Sequence, residues 1–395
     1  LLVIVLLGTI FIIEIFTPAI VYLIAPGFYK DAEKFNLAVE LTRITFPFLF
    51  FVSLSSFFSG ILNSNNKFAA AAAAPIILNI FLILSIFISY FFELNFELNL
   101  SYAVTLAGLF QLIFLIFFTK RYYKPSINFK VKINSKVVFF FKKLMPSIFS
   151  SGVTQINILI GTIIASFEAG AVSYLYYADR IYQINLAIAG IAIGTIALPE
   201  LSKKIKSGNM IEAMIIQNKS IELCLILSIP ACAALVIASQ QITSALFGYG
   251  SFLETDVLLT AQALKYFGFG VPAFALVKVL SNFFFARDDT KIPFYISAFS
   301  VFLNILISLI YFKELGFIII PIATSIATWC AVIIYLILLI KLKYLKTNSI
   351  FYTNFIKTVI SAVLMSLTLH YLINFFEDKL IYANYYKSFY LIITI

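Results

Sequence analysis

The sequence predicts an all-α polytopic membrane protein, and three observations carry that prediction. Apolar runs of about 20 residues recur from end to end, the length a helix needs to cross a bilayer. Of the 395 residues, 62% are hydrophobic and 12% charged, whereas a soluble domain is nearer half apolar and a quarter charged. Lysines and arginines gather in alternate connections, as the positive-inside rule requires. The chain opens LLVIVLLGTI without an initiator Met and stops within SFYLIITI. Both ends therefore read as cut, and the lack of a signal peptide carries no weight.

Gly, Pro, Asn and charged residues divide the apolar sequence into about twelve helices. In order they fall near 1–25, 37–63, 69–92, 99–119, 145–168, 172–202, 213–240, 257–286, 291–312, 315–342, 353–375 and 385 to the end. The connection after the fourth run carries Lys120, Arg121, Lys124, Lys130, Lys132, Lys136, Lys142 and Lys143 and no acid. Alternate connections repeat the sign with Lys67, with Lys203, Lys204 and Lys206, with Arg287 and Lys291, and with Lys341, Lys343 and Lys346. The intervening ones hold Glu93 and Glu97, then Glu168, then Glu254 and Asp256. The lysine-rich side is cytoplasmic.

This topology accounts for the net charge of +10 without nucleic acid, since the cations are spread over several loops. The basic connection over 120–143 alternates Phe129, Val131 and Ile133 with lysines. It reads as a solvated positive-inside loop, or as a segment lying on anionic headgroups. Cys224, Cys232 and Cys330 all fall in apolar runs, and His370 is the single histidine. Cys224 and Cys232 stand about 12 Å apart along one helix, too far for a disulfide. No metal-ligand spacing is present, so redox and zinc chemistry are set aside.

The chain also repeats itself. Shifted by 225 residues, LTRITFPFLFFVSLSSFFSGILN aligns without gaps on YFGFGVPAFALVKVLSNFFFARD, and the match continues to a shared LNI. Pro47 meets Pro272, Ser56 meets Ser281, Phe58 meets Phe283, and Asn79 meets Asn304. Both copies run from the outer face inwards and back, so the repeats are parallel, a transporter architecture in which two similar bundles rock about a cavity.

The ionisable residues inside the runs are Glu14, Arg43, Asp179, Arg180, Lys219, Glu222, Lys265, Lys278 and His370. A charge at the bilayer centre costs on the order of 3 kcal/mol, so each needs a partner, a cavity or the interface. Lys219, Lys265 and His370 can snorkel. Arg180 lies in YLYYADRIYQ, about two turns into its helix and among Tyr174, Tyr176, Tyr177 and Tyr182. Adjacent residues project about 100° apart, so Asp179 does not neutralise Arg180 by same-face pairing. The guanidinium is then open to an outside anion such as phosphate, or to an ion pair with another helix, and on these residues alone both readings stand. Lys278, two turns above its cytoplasmic boundary, either faces the cavity or tethers a neighbouring helix. Asp288 and Asp289 in ARDDTKIP read as a helix cap. No catalytic motif or phosphate-binding glycine loop is found, which argues against an enzyme.

Several strings resemble the MurJ (MviN) family, the lipid II flippases of the MATE-like exporter superfamily. They are APGF at 25–28, LTRITFPF at 41–48, GILN followed by KFAAAAAAPIILN, VTQINILIGTIIASF at 153–167, SYLYYADRIYQ with GTIALPELSK, and VKVLSNFFFARDDTKIP at 277–293. They are collinear over most of the chain, as far as about residue 345. The resemblance implies a fourteen-helix fold of two six-helix lobes and a C-terminal pair that forms a groove for the lipid tail. On that frame 1–119 would be N-lobe helices three to six, and 120–144 the basic connection. Residues 145–343 would be C-lobe helices seven to twelve, and 353–395 the tail helices. The chain would thus begin at the third helix, with further cavity arginines expected upstream.

Arg180 falls on the family's cavity arginine in the eighth helix. The implied diphosphate and cavity residues are Arg180, Asp179, Gln183 and Lys278, with Arg43 and Asn304 in support. Gln183 stands where relatives often have Glu, and Gly161 where many have Asp or Asn, which puts ion coupling through that position in doubt. The implied function is movement of lipid II from the cytoplasmic to the outer leaflet of the bacterial inner membrane, by alternating access. No cofactor is expected, and the energy would come from the membrane potential or a monovalent ion. The implied partners are lipid II, membrane lipids and cell-wall synthesis proteins. The alternatives are a multidrug or O-antigen-type lipid oligosaccharide exporter of the same fold, and a lipid-sugar polymerase, for which Asp179 would be catalytic.

Overall fold

The computed structural model describes residues 2–123, 152, 155–346 and 349–394, and every regular element among them is helical. The basic connection beyond Tyr123 and the start of VTQIN lie outside the described residues. The chain forms two compact units, Leu1–Leu144 and Met145–Ile395. By length and composition, nine helical stretches among the described residues can cross a membrane, one of them the continuous hairpin Lys291–Lys341. The protein is a multi-pass membrane protein.

The first unit contains α1 (Leu2–Ile24), α2 (Ala32–Thr45), α3 (Phe48–Ser64), α4 (Phe68–Phe91) and α5 (Phe96–Thr119). Asp31 caps α2 by accepting from the Glu33 and Lys34 amides, each at 3.1 Å, and Asn95 caps α5 through the Leu98 amide at 2.9 Å. The run expected as one helix over 37–63 is one membrane span, Ala32–Ser64, with a break in its helix ladder at Phe46–Pro47. Pro47 lacks an N–H and its ring disfavours a continuous helix, so the chain turns at Phe46–Pro47 before α3 begins. The freed carbonyl of Ile44 is not left bare: the Thr105 hydroxyl of α5 donates to it at 2.5 Å.

The second unit contains α6 (Gln155–Ala165), α7 (Ala171–Leu186), α8 (Ile193–Lys206), α9 (Met210–Ile237), α10 (Ser239–Phe247), α11 (Glu254–Phe285), α12 (Lys291–Leu315), α13 (Ile319–Lys341), α14 (Ser349–Phe375), α15 (Glu377–Leu380) and α16 (Lys387–Thr394). Two expected boundaries change. The run expected over 172–202 is interrupted by a π-helical segment, Ala187–Ala192. The run expected over 213–240 ends at Ile237, and α10 then lies at the outer side as a separate short helix. The cap expected in ARDDTKIP is formed by Asp289, which accepts from the Lys291 and Ile292 amides at 3.0 and 3.2 Å.

α11 is the centre of this unit and touches α7, α8, α9, α10 and α13. Among lipid tails, burying apolar surface gives little drive, so helices associate by close van der Waals packing at small residues. The middle of α11 reads GFGVPAFA, and Gly268, Gly270, Ala273 and Ala275 are all buried. A Cβ at Gly268 would stand 3.0 Å from Leu235 of α9, and one at Gly270 would stand 2.5 Å from the Ser325 hydroxyl of α13.

The two copies of the repeat build the same packing. α5 lies on both α3 and α4, and α13 lies on both α11 and α12. The aligned proline marks the same polar contact in each. In the first unit the carbonyl of Ile44, three residues before Pro47, takes the Thr105 hydroxyl. In the second the carbonyl of Phe269, three residues before Pro272, takes the Trp329 indole N–H at 3.0 Å. Ile44 and Phe269 are aligned by the 225-residue shift, and the donors fall one position apart in the same frame.

Candidate functional site

The site is built from α7 and the π segment that follows it. Gly170 starts α7 from a left-handed conformation (φ 76°), and a Cβ there would strike the Tyr174 ring at 2.6 Å, so glycine is required. Tyr174 then donates its hydroxyl to Asp256 at 2.8 Å, tying the outer end of α7 to that of α11. Tyr182 stacks on Phe267 and Phe274 of α11 with ring centroids 4.8 and 5.2 Å apart. These contacts fix the rotation of the helix and decide which side chains remain outside the packing.

Arg180 is one of those. It lies nine residues beyond Ala171, about 13 Å in from the outer end of the helix. Its side chain is exposed from the unit, and its guanidinium rests over the Tyr176 ring at 4.6 Å, one turn towards the outer side. Among the described residues of its unit no carboxylate lies within 4.0 Å of it. Asp179 is half-buried, and its carboxylate accepts a hydrogen bond from the Gln183 amide, with Tyr182 alongside. Asp179, Tyr182 and Gln183 therefore satisfy one another, and Arg180 keeps its donors. Of the two readings open in the sequence, the strut finds no partner here, and a cation–π shelf holds the guanidinium ready for a planar anion.

The other candidates are not gathered around it. Lys278 lies on the C-terminal half of α11, the half the loop lysines assign to the cytoplasmic side, level with Gly194, whose Cβ position is 3.8 Å from the Lys278 carbonyl. It lines a cleft of about 490 Å³ with Thr195, Ser281, Asn282, Ser297 and Tyr335. Arg43 ends α2 in the first unit and is exposed. Asn304 is a buried node: its amide donates to Asn157 of α6 at 2.6 Å and to the Thr324 hydroxyl of α13 at 3.2 Å. Its carbonyl accepts from Ser308 at 3.3 Å. The node contains only neutral groups. Gly161 faces Ile320, whose side chain is 3.6 Å from where a Cβ would stand.

Sequence reasoning missed the features that shape the cleft. Gly190-Ile-Ala-Ile-Gly194 is a small-xxx-small pattern that seats α7–α8 on α11. A Cβ at Gly190 would be 3.0 Å from the Ala275 backbone, and one at Gly194 would be 2.6 Å from the Asn282 amide, which donates to the Gly194 carbonyl at 3.0 Å. The glycines were the available signal. The π segment beside them has none in local composition.

The chain is similar to known proteins along its whole length. A family model described as lipid II flippase MurJ matches residues 1–391. A probable lipid II flippase MurJ from Rickettsia prowazekii (strain Madrid E) is 40% identical over 321 residues, which cover 80% of this chain and 62% of that protein. A probable lipid II flippase MurJ from Rhizobium meliloti (strain 1021) is 36% identical over 362 residues, covering 90% of this chain and 68% of the relative. The matched stretch thus spans 62% of the Rickettsia protein and 60% of one from Rhizobium tropici. The solved structure of a lipid II flippase MurJ, inward closed conformation, superposes with a TM-score of 0.83 at 25% identity, covering 99% of this chain and 78% of that one. An inward-facing multidrug resistance MATE family transporter of the MOP superfamily gives 0.72 at 16% identity over 85% of this chain and 78% of the other, which is a likeness of fold.

Proposed function

From a chain that belongs to the lipid II flippase MurJ family, we propose a transporter of lipid-linked peptidoglycan precursor, lipid II. It moves the sugar-diphosphate head from the cytoplasmic to the outer leaflet of the bacterial inner membrane by exposing one binding site to each side in turn. Arg180 holds the diphosphate, and Asp179 with Gln183 keeps the helix face around it in order. The observation that carries this reading is an arginine whose backbone lies about 13 Å inside a membrane helix, its guanidinium shelved one turn back on Tyr176 with no carboxylate within 4.0 Å among the described residues of its unit. A charge at that depth is costly unless it serves a ligand or a partner, and a fork of N–H donors matches a phosphate edge by two parallel hydrogen bonds.

The test is growth support in cells depleted of their own flippase, with lipid II followed in the inner leaflet. Charge-assisted hydrogen bonds contribute about 1.5–3 kcal/mol, roughly tenfold to a hundredfold in affinity. Arg180→Ala and Arg180→Glu should therefore fail to support growth while the protein stays at normal abundance in the membrane, and lipid II should accumulate inside. Full growth support by either variant overturns the assignment.

A further inference from the structure

Arg180 and Lys278 are both cations of the second unit with no ion pair among the described residues, yet they stand at different depths. α7–α8 and α11 both run from the outer side to the cytoplasmic side. Gly194, level with Lys278, follows Arg180 by fourteen residues, about 20 Å along a helix. The Arg180 guanidinium leans a further turn outward, over Tyr176. One phosphate cannot reach both groups.

The surroundings of Lys278 have the makings of a site of their own. The cleft of about 490 Å³ opens beside the π segment, between α8, α11 and α12. Its lining offers one cation, Lys278, and no acid. Thr195, Ser281 and Asn282 donate to the carbonyls of Ile191, Lys278 and Gly194, so the hydroxyls of Thr290 and Ser297 remain, and Phe285 and Phe294 contribute ring faces. Tyr335 is 1% exposed, and its hydroxyl faces Ser297 without completing a hydrogen bond to it. A buried hydroxyl left without a partner is costly, so an occupant that accepts from it is favoured. A single positive charge beside an unpartnered phenol and ring faces selects an anion carried on a bulky polar body, as a sugar phosphate is.

We propose that this cleft is a cytoplasmic capture station for the substrate's phosphorylated headgroup, filled before the headgroup reaches Arg180 and independently of it. This rests on the flippase reading and deepens it: the headgroup passes from an inner ammonium to an outer guanidinium, whose backbone levels lie about 20 Å apart along the helix, rather than meeting both in one site. A compact, strongly hydrated ammonium suits transient capture, and a planar fork suits the oriented hold further in.

The experiment uses the full-length protein with Cys224, Cys232 and Cys330 replaced by Ala, and Ser281→Cys as a reporter inside the cleft. Inside-out vesicles are labelled with a membrane-impermeant maleimide, with and without added lipid II. Lipid II should protect the reporter, and protection should survive Arg180→Ala but vanish with Lys278→Gln. Lys278→Arg, which keeps the charge, should retain protection and shows that the cleft still folds. Loss of protection in Arg180→Ala as complete as in Lys278→Gln would mean one site and overturns the proposal, as would absence of protection in every variant. Equal protection by phosphatidylglycerol vesicles lacking lipid II would assign the cleft to bulk lipid phosphate and also overturns it. Failure of the flippase reading itself looks different: Arg180→Ala then supports growth, whatever the labelling shows.

Discussion

Arg180 shows how far a single residue can be read before its neighbours are known. The sequence places it in a helix and denies it same-face neutralisation by Asp179. The direction of its side chain comes from Tyr176, one turn back, which the structure finds under the guanidinium at 4.6 Å. Gln183 was legible as a departure from its relatives, but not as the donor that satisfies the Asp179 carboxylate. Lys387 was not legible as a buried group at all. Its ammonium is 1% exposed, donates to the carbonyls of Gly248 and Tyr382 at 2.5 and 2.8 Å, and lies over the rings of Tyr249 and Tyr382. Gly248 is 139 residues away in sequence, and a backbone carbonyl has no sequence signature. If Arg180 is a phosphate fork, geometry should matter beyond charge. Arg180→Lys keeps the charge but loses the second parallel hydrogen bond. It should fall between the wild type and Arg180→Ala, with transport reduced about tenfold, measured as lipid II reaching the outer leaflet. Transport equal to that of wild type would reduce Arg180 to a point charge.

At the scale of elements, long spans and sidedness follow from apolar run length and loop lysines, and the capping role of Asp289 follows from ARDDTKIP. What interrupts a span is harder to see. Pro47 and Pro272 are aligned, yet the helix ladder breaks at the first and runs on through the second. The π segment belongs to the fit between Gly190–Gly194 and α11 rather than to AIAGIA itself. This separates glycines that look alike in sequence. Gly190→Ala drives a Cβ to 3.0 Å from the Ala275 backbone, which cannot swing away, whereas Gly161→Ala meets only a methyl of Ile320 at 3.6 Å. The first should lower the stability of the detergent-solubilised protein by about 1–3 kcal/mol. The second should leave it unchanged or slightly raised, since alanine restricts the unfolded chain more than glycine. Thermal aggregation profiles of the two variants give the comparison, and equal midpoints would show that close seating of α7–α8 on α11 is not limiting.

Within the second unit, polar contacts outside the helix ladders fasten the C-terminal segment near both of its ends. At the cytoplasmic end the Asn218 amide of α9 donates to the Lys346 carbonyl at 2.8 Å, and Arg287 stacks over Tyr344 at 4.2 Å. Further along, Asn354 of α14 donates to Glu222 of α9 at 3.4 Å. At the outer end Lys387 is clamped as described, Ser388 donates to the Ala245 carbonyl at 2.8 Å, and Tyr382 donates to that of Phe252 at 2.8 Å. α14 is thus fastened to α9 near one end, and the segment after it to α10 and the loop before α11 at the other. A helix pair held only by apolar contact in lipid could slide, because tails are as apolar as the helix face they replace. One held by polar contacts at both ends must break them to move. On the transporter reading, the C-terminal helices should therefore travel with α9–α11 as one body, in the manner of rigid-body transitions. Replacing Glu222 and Asn354 by a cysteine pair, in a background without the three native cysteines, allows the contact to be locked by oxidation. If the helices move together, the oxidised protein carries lipid II at about the rate of the reduced protein. Transport that stops on oxidation and returns with reductant would mean that α14 must slide against α9, and that the contacts at its two ends are remade in every cycle.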